Sequence, residues 1–341
     1  MGVQLGDIVP RQEVGLEELR GRTIAIDAMN ALYQFLSIIR QRDGTPLKDS
    51  QGRVTSHLSG LFYRTANLVE IGIRPVYVFD GEPPELKSGT IETRRTIRAE
   101  AARAYESALR RGDVVEARKQ AQRAVKMTTD MVSQSQLLLD KMGVAWIQAP
   151  GEGEAQASRI VQKGDAWAVG SQDFDSLLFG ANLLVRNVAI TGRRKMPGKS
   201  VYVEVSPEVV DLDKLLKDLK ITREQLVAMG ILMGTDFNKG VKGVGPKTAL
   251  KLIREHKSLE KIISGAGVQF EVDPLEVERI FLEPNVTDDY MFRHMDPDPE
   301  GIKELLCEEH DFSESRVQSG IDKLSKGVGE QAQKSLEDWF G

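Results

Sequence analysis

An α/β fold with a mostly parallel central sheet flanked by helices is the class this sequence predicts, and three observations predict it. Short runs rich in Val, Ile, Tyr and Phe recur, and several end in a carboxylate, as in TIAIDAMN and VYVFDGEPP. After the second of these comes a long stretch with almost no strand signal, built largely from Ala, Arg, Glu and Gln. A glycine-rich turn, GVKGVGPKTAL, joins two helical patterns in the second half. Buried strand-like runs alternating with helical segments are how a parallel sheet reads in sequence.

Taken in order, Thr23 to Asp27 reads as a first strand, followed by a helix carrying Tyr33 and Phe35. A loop containing Gly, Pro and Ser covers Asp43 to Val54, His57 to Ile71 has helical periodicity, and Arg74 to Asp80 is the second strand. Glu85 to Lys141 consists of strong helix formers with few large apolar residues, so much of it should be exposed, bridging solvent or lining a channel. The sheet resumes at Val144 to Gln148 and at Ala166 to Val169, each followed by an acidic motif. Beyond them the pattern is mainly helical to about Lys257, with a strand pair around Leu183 to Val205. The glycine turn links a helix ending near Met233 to one starting near Pro246. Its backbone N–H groups face outward at a helix N-terminus, an anion site that Lys242 and Lys247 strengthen.

Seven carboxylates occupy strand-end or Gly-rich contexts: Asp27, Asp80, Glu152 and Glu154 in GEGEA, Asp173 and Asp175 in SQDFDSL, and Asp236 in GTDF. Open α/β sheets bind ligands at the carboxyl ends of their strands. Seven acids in one crevice would repel and shift each other's pKa, so the arrangement calls for a positive occupant, and a divalent metal is the obvious one. A single cysteine, Cys307, and four histidines without HxxxH, CxxC or HxH spacing leave zinc or iron without a ligand set. Oxygen-only ligands suit Mg²⁺ or Mn²⁺. Because Mg²⁺ uses only one or two carboxylates directly, seven suggest two ions about 4 Å apart, placed to activate water and neutralise a phosphoryl group.

The 341 residues can bury a large core, include no run long enough to span a bilayer, and begin without an apolar signal region. One cysteine excludes an internal disulfide framework and fits a reducing compartment. An intracellular, cytoplasmic protein with no membrane partner is expected. A net charge of -5 argues against a nucleic-acid partner, but its distribution reverses that judgement. Lys87 to Lys126 holds eleven Lys and Arg against five acids, and Lys239 to Lys257 holds six against one. Arg193, Arg194, Lys195 and Lys199 form a third basic patch. Separate blocks of opposite sign are what a metal-dependent nuclease needs. At the far end, one helical turn would place Leu336, Trp339 and Phe340 on one side, where a partner has to cover them unless they pack back on the domain.

Taken together, these blocks resemble the flap endonucleases of the structure-specific 5′ nuclease superfamily over essentially the whole chain. MGVQ, IDAMNALYQFL, TSHLSGLFYRT, VYVFDGEPPELKSG, APGEGEAQA, SQDFDSLLFG and GTDFNKGVKGVGPKTAL follow one another in the family's order. The short interval between Asp80 and Glu152 is similar to flap endonucleases and unlike repair relatives with a large insertion there. Gln333 to Phe340 resembles the family's sliding-clamp motif, and its place at the extreme end looks like the archaeal branch. One departure is Leu5, where many relatives carry Gly.

The resemblance implies a PIN-like nuclease domain over residues 1–330, with a helical arch inserted at about 82–135, a helix-hairpin-helix at about 226–256, and a clamp-binding tail at 331–341. It implies that the seven acids hold two Mg²⁺ ions, with Mn²⁺ as a substitute, and that Lys87 and Arg94 grip the scissile phosphate, making these two, Asp80 and Asp173 the catalytic candidates. Tyr33, by its residue type alone a core tyrosine, matches the aromatic that stacks on a nucleobase, and Gly2 lies near this site in the family. Thr55 and Arg64 fall in blocks that contact template and a 3′ flap. Gly243, Gly245, Lys242 and Lys247 match the duplex-holding hairpin, and Gln333, Leu336, Trp339 and Phe340 the contacts to a PCNA-type clamp.

The implied activity is hydrolysis near the base of a 5′ DNA flap, with 5′-3′ exonuclease action on nicked or gapped DNA, in replication and repair, by a protein monomeric when free. Three alternatives stay open. One is a repair or junction-resolving nuclease of the same superfamily; another is a noncatalytic clamp-bound DNA adaptor. The third is a DxD phosphatase of small substrates, against which the hairpin and the basic stretch argue.

Overall fold

A computed structural model describes residues 2–41, 44–190, 192–195, 202–265 and 269–340; the side chains of 192–195, 202–204 and 330–340 lie outside that description. In chain order the elements are β1 (Gln12–Glu13), β2 (Thr23–Asp27), α1 (Ala28–Ile38), α2 (Ser56–Ile71), β3 (Arg74–Phe79), α3 (Ser88–Arg110), α4 (Val114–Arg123) and α5 (Thr129–Lys141). There follow β4 (Trp146–Gln148), α6 (Gly153–Gln162), β5 (Ala168–Gly170), α7 (Asp175–Leu178), β6 (Leu183–Arg186), β7 (Gly192–Lys195), β8 (Tyr202–Val205) and β9 (Glu208–Asp211). The rest is helical: α8 (Leu212–Leu219), α9 (Arg223–Met233), α10 (Pro246–His256), α11 (Leu259–Gly265), α12 (Pro274–Leu282), α13 (Pro299–Lys303) and α14 (Glu314–Phe340).

Seven strands form the central sheet in the order β1-β9-β6-β5-β2-β3-β4. β6, β5, β2, β3 and β4 run parallel, while β9 adds to β6, and β1 to β9, in antiparallel fashion. The sheet is therefore mostly parallel. Period-2 alternation sends Ala25, Val76 and Val78 into one buried layer and Ile24, Ile26, Tyr77 and Phe79 into the other. The first layer packs beneath α6, α9, α10 and α12, and the second beneath α1, α2, α5 and α14. From β2 the chain proceeds outward through β3 to β4, then returns to pair β5 on the opposite side of β2. That reversal opens a crevice above the carboxyl ends of β2 and β5, where open α/β sheets hold ligands.

The expected strand pair at Leu183 to Val205 divides in two. β6 belongs to the central sheet and pairs with β9, beyond the expected range, whereas among the described residues β7 and β8 pair only with each other. In β6, Leu184 and Val185 are fully enclosed and so demand sheet neighbours on both sides. In the basic stretch, α3 buries only Ala101 and Ala108, and α4 only Ala117, Gln120 and Ala121. Outside this narrow seam the two helices are largely exposed, including the apolar side chains of Ile91, Ile97, Leu109, Val114 and Val115. α5 is different: it buries Ser135, Leu138 and Leu139 against the body, so the expected arch limit at residue 135 runs into a core helix. Leu5 is fully buried and anchors the N-terminal segment in the core. Among the described residues no helix is long and apolar enough to cross a membrane.

Candidate metal centre and nucleic-acid interface

The parallel strands deliver the acids. Asp27 ends β2 and caps α1, its Oδ1 accepting the Asn30 N–H at 2.9 Å. Asp80 follows β3, and its Oδ1 accepts the Gly153 N–H at 2.8 Å. A Cβ at position 153 would stand 2.8 Å from that same oxygen, so the central glycine of GEGEA lets the start of α6 press against the end of β3. Glu152 precedes α6 and Glu154 lies in its first turn, where a helix N-terminus favours negative charge. Asp173 and Asp175 follow β5: Asp173 Oδ1 accepts Gly2 N–H at 3.2 Å, and Asp175 Oδ1 accepts Val3 N–H at 2.6 Å. Asp236 enters from the turn after α9.

Neighbouring members of the seven act on one another electrostatically. Burial, reinforced by Asp80 and Asp173, raises Asp27 well above the usual carboxylate range. Burial together with Asp27, Asp175 and Asp173 does the same to Glu154. Burial and the charges of Asp173 and Asp236 push Asp175 up to about 7, against the hydrogen bond from Val3. The salt bridges within the site fall on two other members: Lys87 Nζ meets Glu152 Oε2, and Arg94 Nη2 meets both oxygens of Asp236 at 2.6 and 2.7 Å. Burial works against the Lys87 ammonium, yet Glu152, Asp80 and Asp236 hold its pKa above the ordinary lysine value. Glu152 is nevertheless raised, because burial and Asp80 outweigh the lysine.

Among the described residues no three of these carboxylates are drawn into a finished metal-binding cluster, and two of them are engaged by cations instead. The donor set still fits a divalent metal. It is oxygen-only, and burial leaves Asp27, Glu154 and Asp175 carrying a charge cost that a hard cation would relieve.

A pH-dependent stability follows from Asp175. A carboxyl raised on folding contributes stability that is fully present below its unfolded pKa, about 4, and is lost as pH rises through about 7. Asp175→Asn removes that loss and keeps the acceptor for Val3. In EDTA the variant should melt about 3–5 °C above the parent at pH 8 and with it at pH 4. A gap that stays constant between those pH values would show the carboxyl to be solvated.

Several contacts in the site had escaped the sequence reading. Asn30 Nδ2 donates to Asp173 Oδ2 at 3.1 Å, and Ser171 and Ser176 both donate to Glu154 Oε1, at 2.9 and 3.1 Å. Arg98 lies 5.3 Å from the Tyr33 ring centroid and donates to its hydroxyl at 3.1 Å. Asn30 had a legible signal, standing three residues after a strand-end aspartate in the first turn of a helix. The serines had none beyond lying within the acidic motif.

The nucleic-acid candidates divide. Tyr33 is half-buried beneath Arg98 and belongs to neither core layer. Thr55 is only 4% exposed and stands at the N-cap of α2, with no side-chain cap hydrogen bond. Its neighbours, the buried Ser56, His57 and Leu58, draw the backbone inward there. Arg64 lines a cleft of about 480 Å³ with Asn67, Glu70, Pro207 and Lys323, apart from the acids. Lys242 and Lys247 are exposed on the hairpin between α9 and α10. Gly240, with φ of +70°, lies so close to Gly234 that a Cβ there would come 2.3 Å from its nitrogen, which closes the turn. Gly243 and Gly245 have open space before them. Side chains of Arg193, Arg194 and Lys195, all of Lys199, and the side chains of Gln333, Leu336, Trp339 and Phe340 lie outside the described residues.

Comparison with known proteins gives the family. The XPG N-terminal domain model matches residues 1–101 and the XPG I-region model residues 143–236, which together contain all seven acids. Flap endonuclease 1 of Pyrococcus horikoshii is 56% identical over 341 residues, covering 100% of this chain and 98% of that protein. The chain belongs to the flap endonuclease 1 family. Another flap endonuclease 1, that of Aeropyrum pernix, is 54% identical and is covered along its whole length. The solved flap endonuclease-1 from Methanococcus jannaschii is 42% identical, with a TM-score of 0.77 over 97% of this chain and 100% of that one. The catalytic core of Rad2 in complex with DNA substrate, 24% identical with a TM-score of 0.71, shares the family's fold.

Proposed function

We propose that this chain is a structure-specific endonuclease that hydrolyses the phosphodiester at the base of 5′ DNA flaps, acting also as a 5′-3′ exonuclease at nicks and gaps. The observation that carries the reading is the meeting of the seven carboxylates, from strand ends, the start of α6 and the turn after α9, with Lys87 and Arg94 from the basic stretch. Nucleases of this family depend on divalent metal. Here Asp27, Asp80, Glu152, Glu154, Asp173, Asp175 and Asp236 would hold two Mg²⁺ ions, with Mn²⁺ as a substitute, directly or through water. When bound, the ions supply a water nucleophile and neutralise phosphoryl charge. Lys87 and Arg94 then pass from Glu152 and Asp236 to the scissile phosphate, where fixed positive charge is worth most as the transition state forms. Tyr33 offers its face to a nucleobase beside the cut, displacing or sharing Arg98. An end-labelled panel of flap, nick, bubble and four-way-junction substrates, run with Mg²⁺ and with EDTA, tests this directly. Preference for bubbles or junctions, or cleavage in EDTA, would refute it.

The hairpin between α9 and α10 is proposed to hold duplex phosphates without reading sequence. Substituting Lys242 and Lys247 with Ala should weaken binding of every flap sequence alike and flatten the salt dependence by about one to two counterions. An unchanged slope would remove the hairpin from the interface. The tail is proposed to bind a PCNA-type sliding clamp, with Leu336, Trp339 and Phe340 as anchors and Gln333 at the rim, because aromatic anchors concentrate binding energy. Deleting residues 333–341 should abolish clamp stimulation while clamp-free cleavage and the thermal midpoint stay the same. Full clamp affinity in the truncated protein would defeat this assignment.

A further inference from the structure

We propose that Asn30 is a positioning residue for the metal centre: its amide braces the Asp173 carboxylate against the start of α1, a role that rests on the metal reading above. Its backbone N–H donates to Asp27 Oδ1 at 2.9 Å and its Nδ2 to Asp173 Oδ2 at 3.1 Å. One residue thus spans the two carboxylates on either side of the reversal between β2 and β5. The amide has one workable orientation. Its Oδ1 accepts from Gln34 Nε2 one turn along and from Gln172 N at 3.3 Å, so the NH₂ is left facing Asp173. The other oxygen of Asp173 is taken by Gly2 N–H at 3.2 Å, which completes the fixing of that side chain.

Neutrality is what suits Asn30 to the task. Lys87 and Arg94 also hold acids of the site, but each brings a positive charge that an arriving cation has to displace. An amide orients the carboxylate and leaves its charge for the metal. Outer hydrogen bonds of this kind typically govern about 10–100-fold in metal affinity.

Calorimetric titration of Mn²⁺ into the DNA-free full chain tests the brace, using Asn30→Leu, Asp173→Asn and the double variant, with melting in EDTA alongside. Asn30→Leu should bind Mn²⁺ about 10–100-fold more weakly. Its cleavage should be slowed far more at sub-saturating than at saturating Mg²⁺, while its midpoint in EDTA should fall only slightly, as Gln172 N–H and Gln34 Nε2 lose their acceptor. Because the amide acts through Asp173, the same change should add little in the Asp173→Asn background. Should the leucine variant fail to fold, Asn30→Ser, too short to reach Asp173, carries the same expectation. Parental Mn²⁺ affinity at position 30 beside a weakened Asp173→Asn would overturn the brace, as would an equal effect in both backgrounds. Parental affinity in Asp173→Asn would overturn the metal reading and the brace with it.

Discussion

Asp173→Ala should reduce single-turnover flap cleavage by roughly 10⁴-fold or more while flap binding stays close to parental, the outcome expected when a metal-holding group rather than a DNA contact is removed. Asp173 is well suited to the test because its folded-state partners, Gly2 N–H and Asn30 Nδ2, are neutral donors that water can satisfy. Among the described residues no salt bridge is broken, and one of the charges that raise Asp27, Glu154 and Asp175 disappears. The midpoint in EDTA should therefore hold or rise. Asp80→Ala should lose activity just as fully, with a midpoint lowered by about 0.5–1.5 kcal/mol worth of stability, since the Gly153 N–H loses its acceptor. Parental Mg²⁺-dependent turnover in either variant would sink the site assignment.

Lys87→Ala and Arg94→Ala should each slow single-turnover cleavage by about 10²–10³-fold at saturating substrate, as loss of a charge-stabilising donor does. Their pairing with Glu152 and Asp236 adds a second, opposite expectation. Each cation competes with metal for an acid, Lys87 for Glu152 and Arg94 for Asp236, so its removal should tighten Mn²⁺ binding to the DNA-free chain. A variant that binds metal better and cuts far worse separates transition-state stabilisation from ligand organisation. If cleavage is preserved and only duplex affinity falls, the two residues belong to a surface that tracks the backbone.

Much of the site was legible because it follows from local pattern. Ile24 to Ile26 and Val76 to Phe79 are strand-forming runs, and a residue just past such a run emerges at the strand's end whatever else the fold does. That is why Asp27 and Asp80 could be named, and why the short GEGEA and SQDFDSL motifs could be set beside them. The burial of Thr55 is not legible in this way, because sequence shows a hydroxyl after a loop but not the inward packing of Ser56 to Leu58 that encloses it. β9 was overlooked because Glu208 to Asp211 is four residues long and is a strand only through its pairing with β6.

What the sequence determined by itself was a mostly parallel sheet, an exposed basic helical stretch, an outward-facing hairpin and a set of acids too numerous for anything but cations. Which cations meet which acids was decided by tertiary structure alone. Lys87 reaches Glu152 across 65 residues and Arg94 reaches Asp236 across 142, contacts that depend on how α3 returns over the sheet. The raised pKa of Asp175 is likewise a property of burial among neighbours, because desolvation and Coulomb repulsion act through space and carry no mark in residue order.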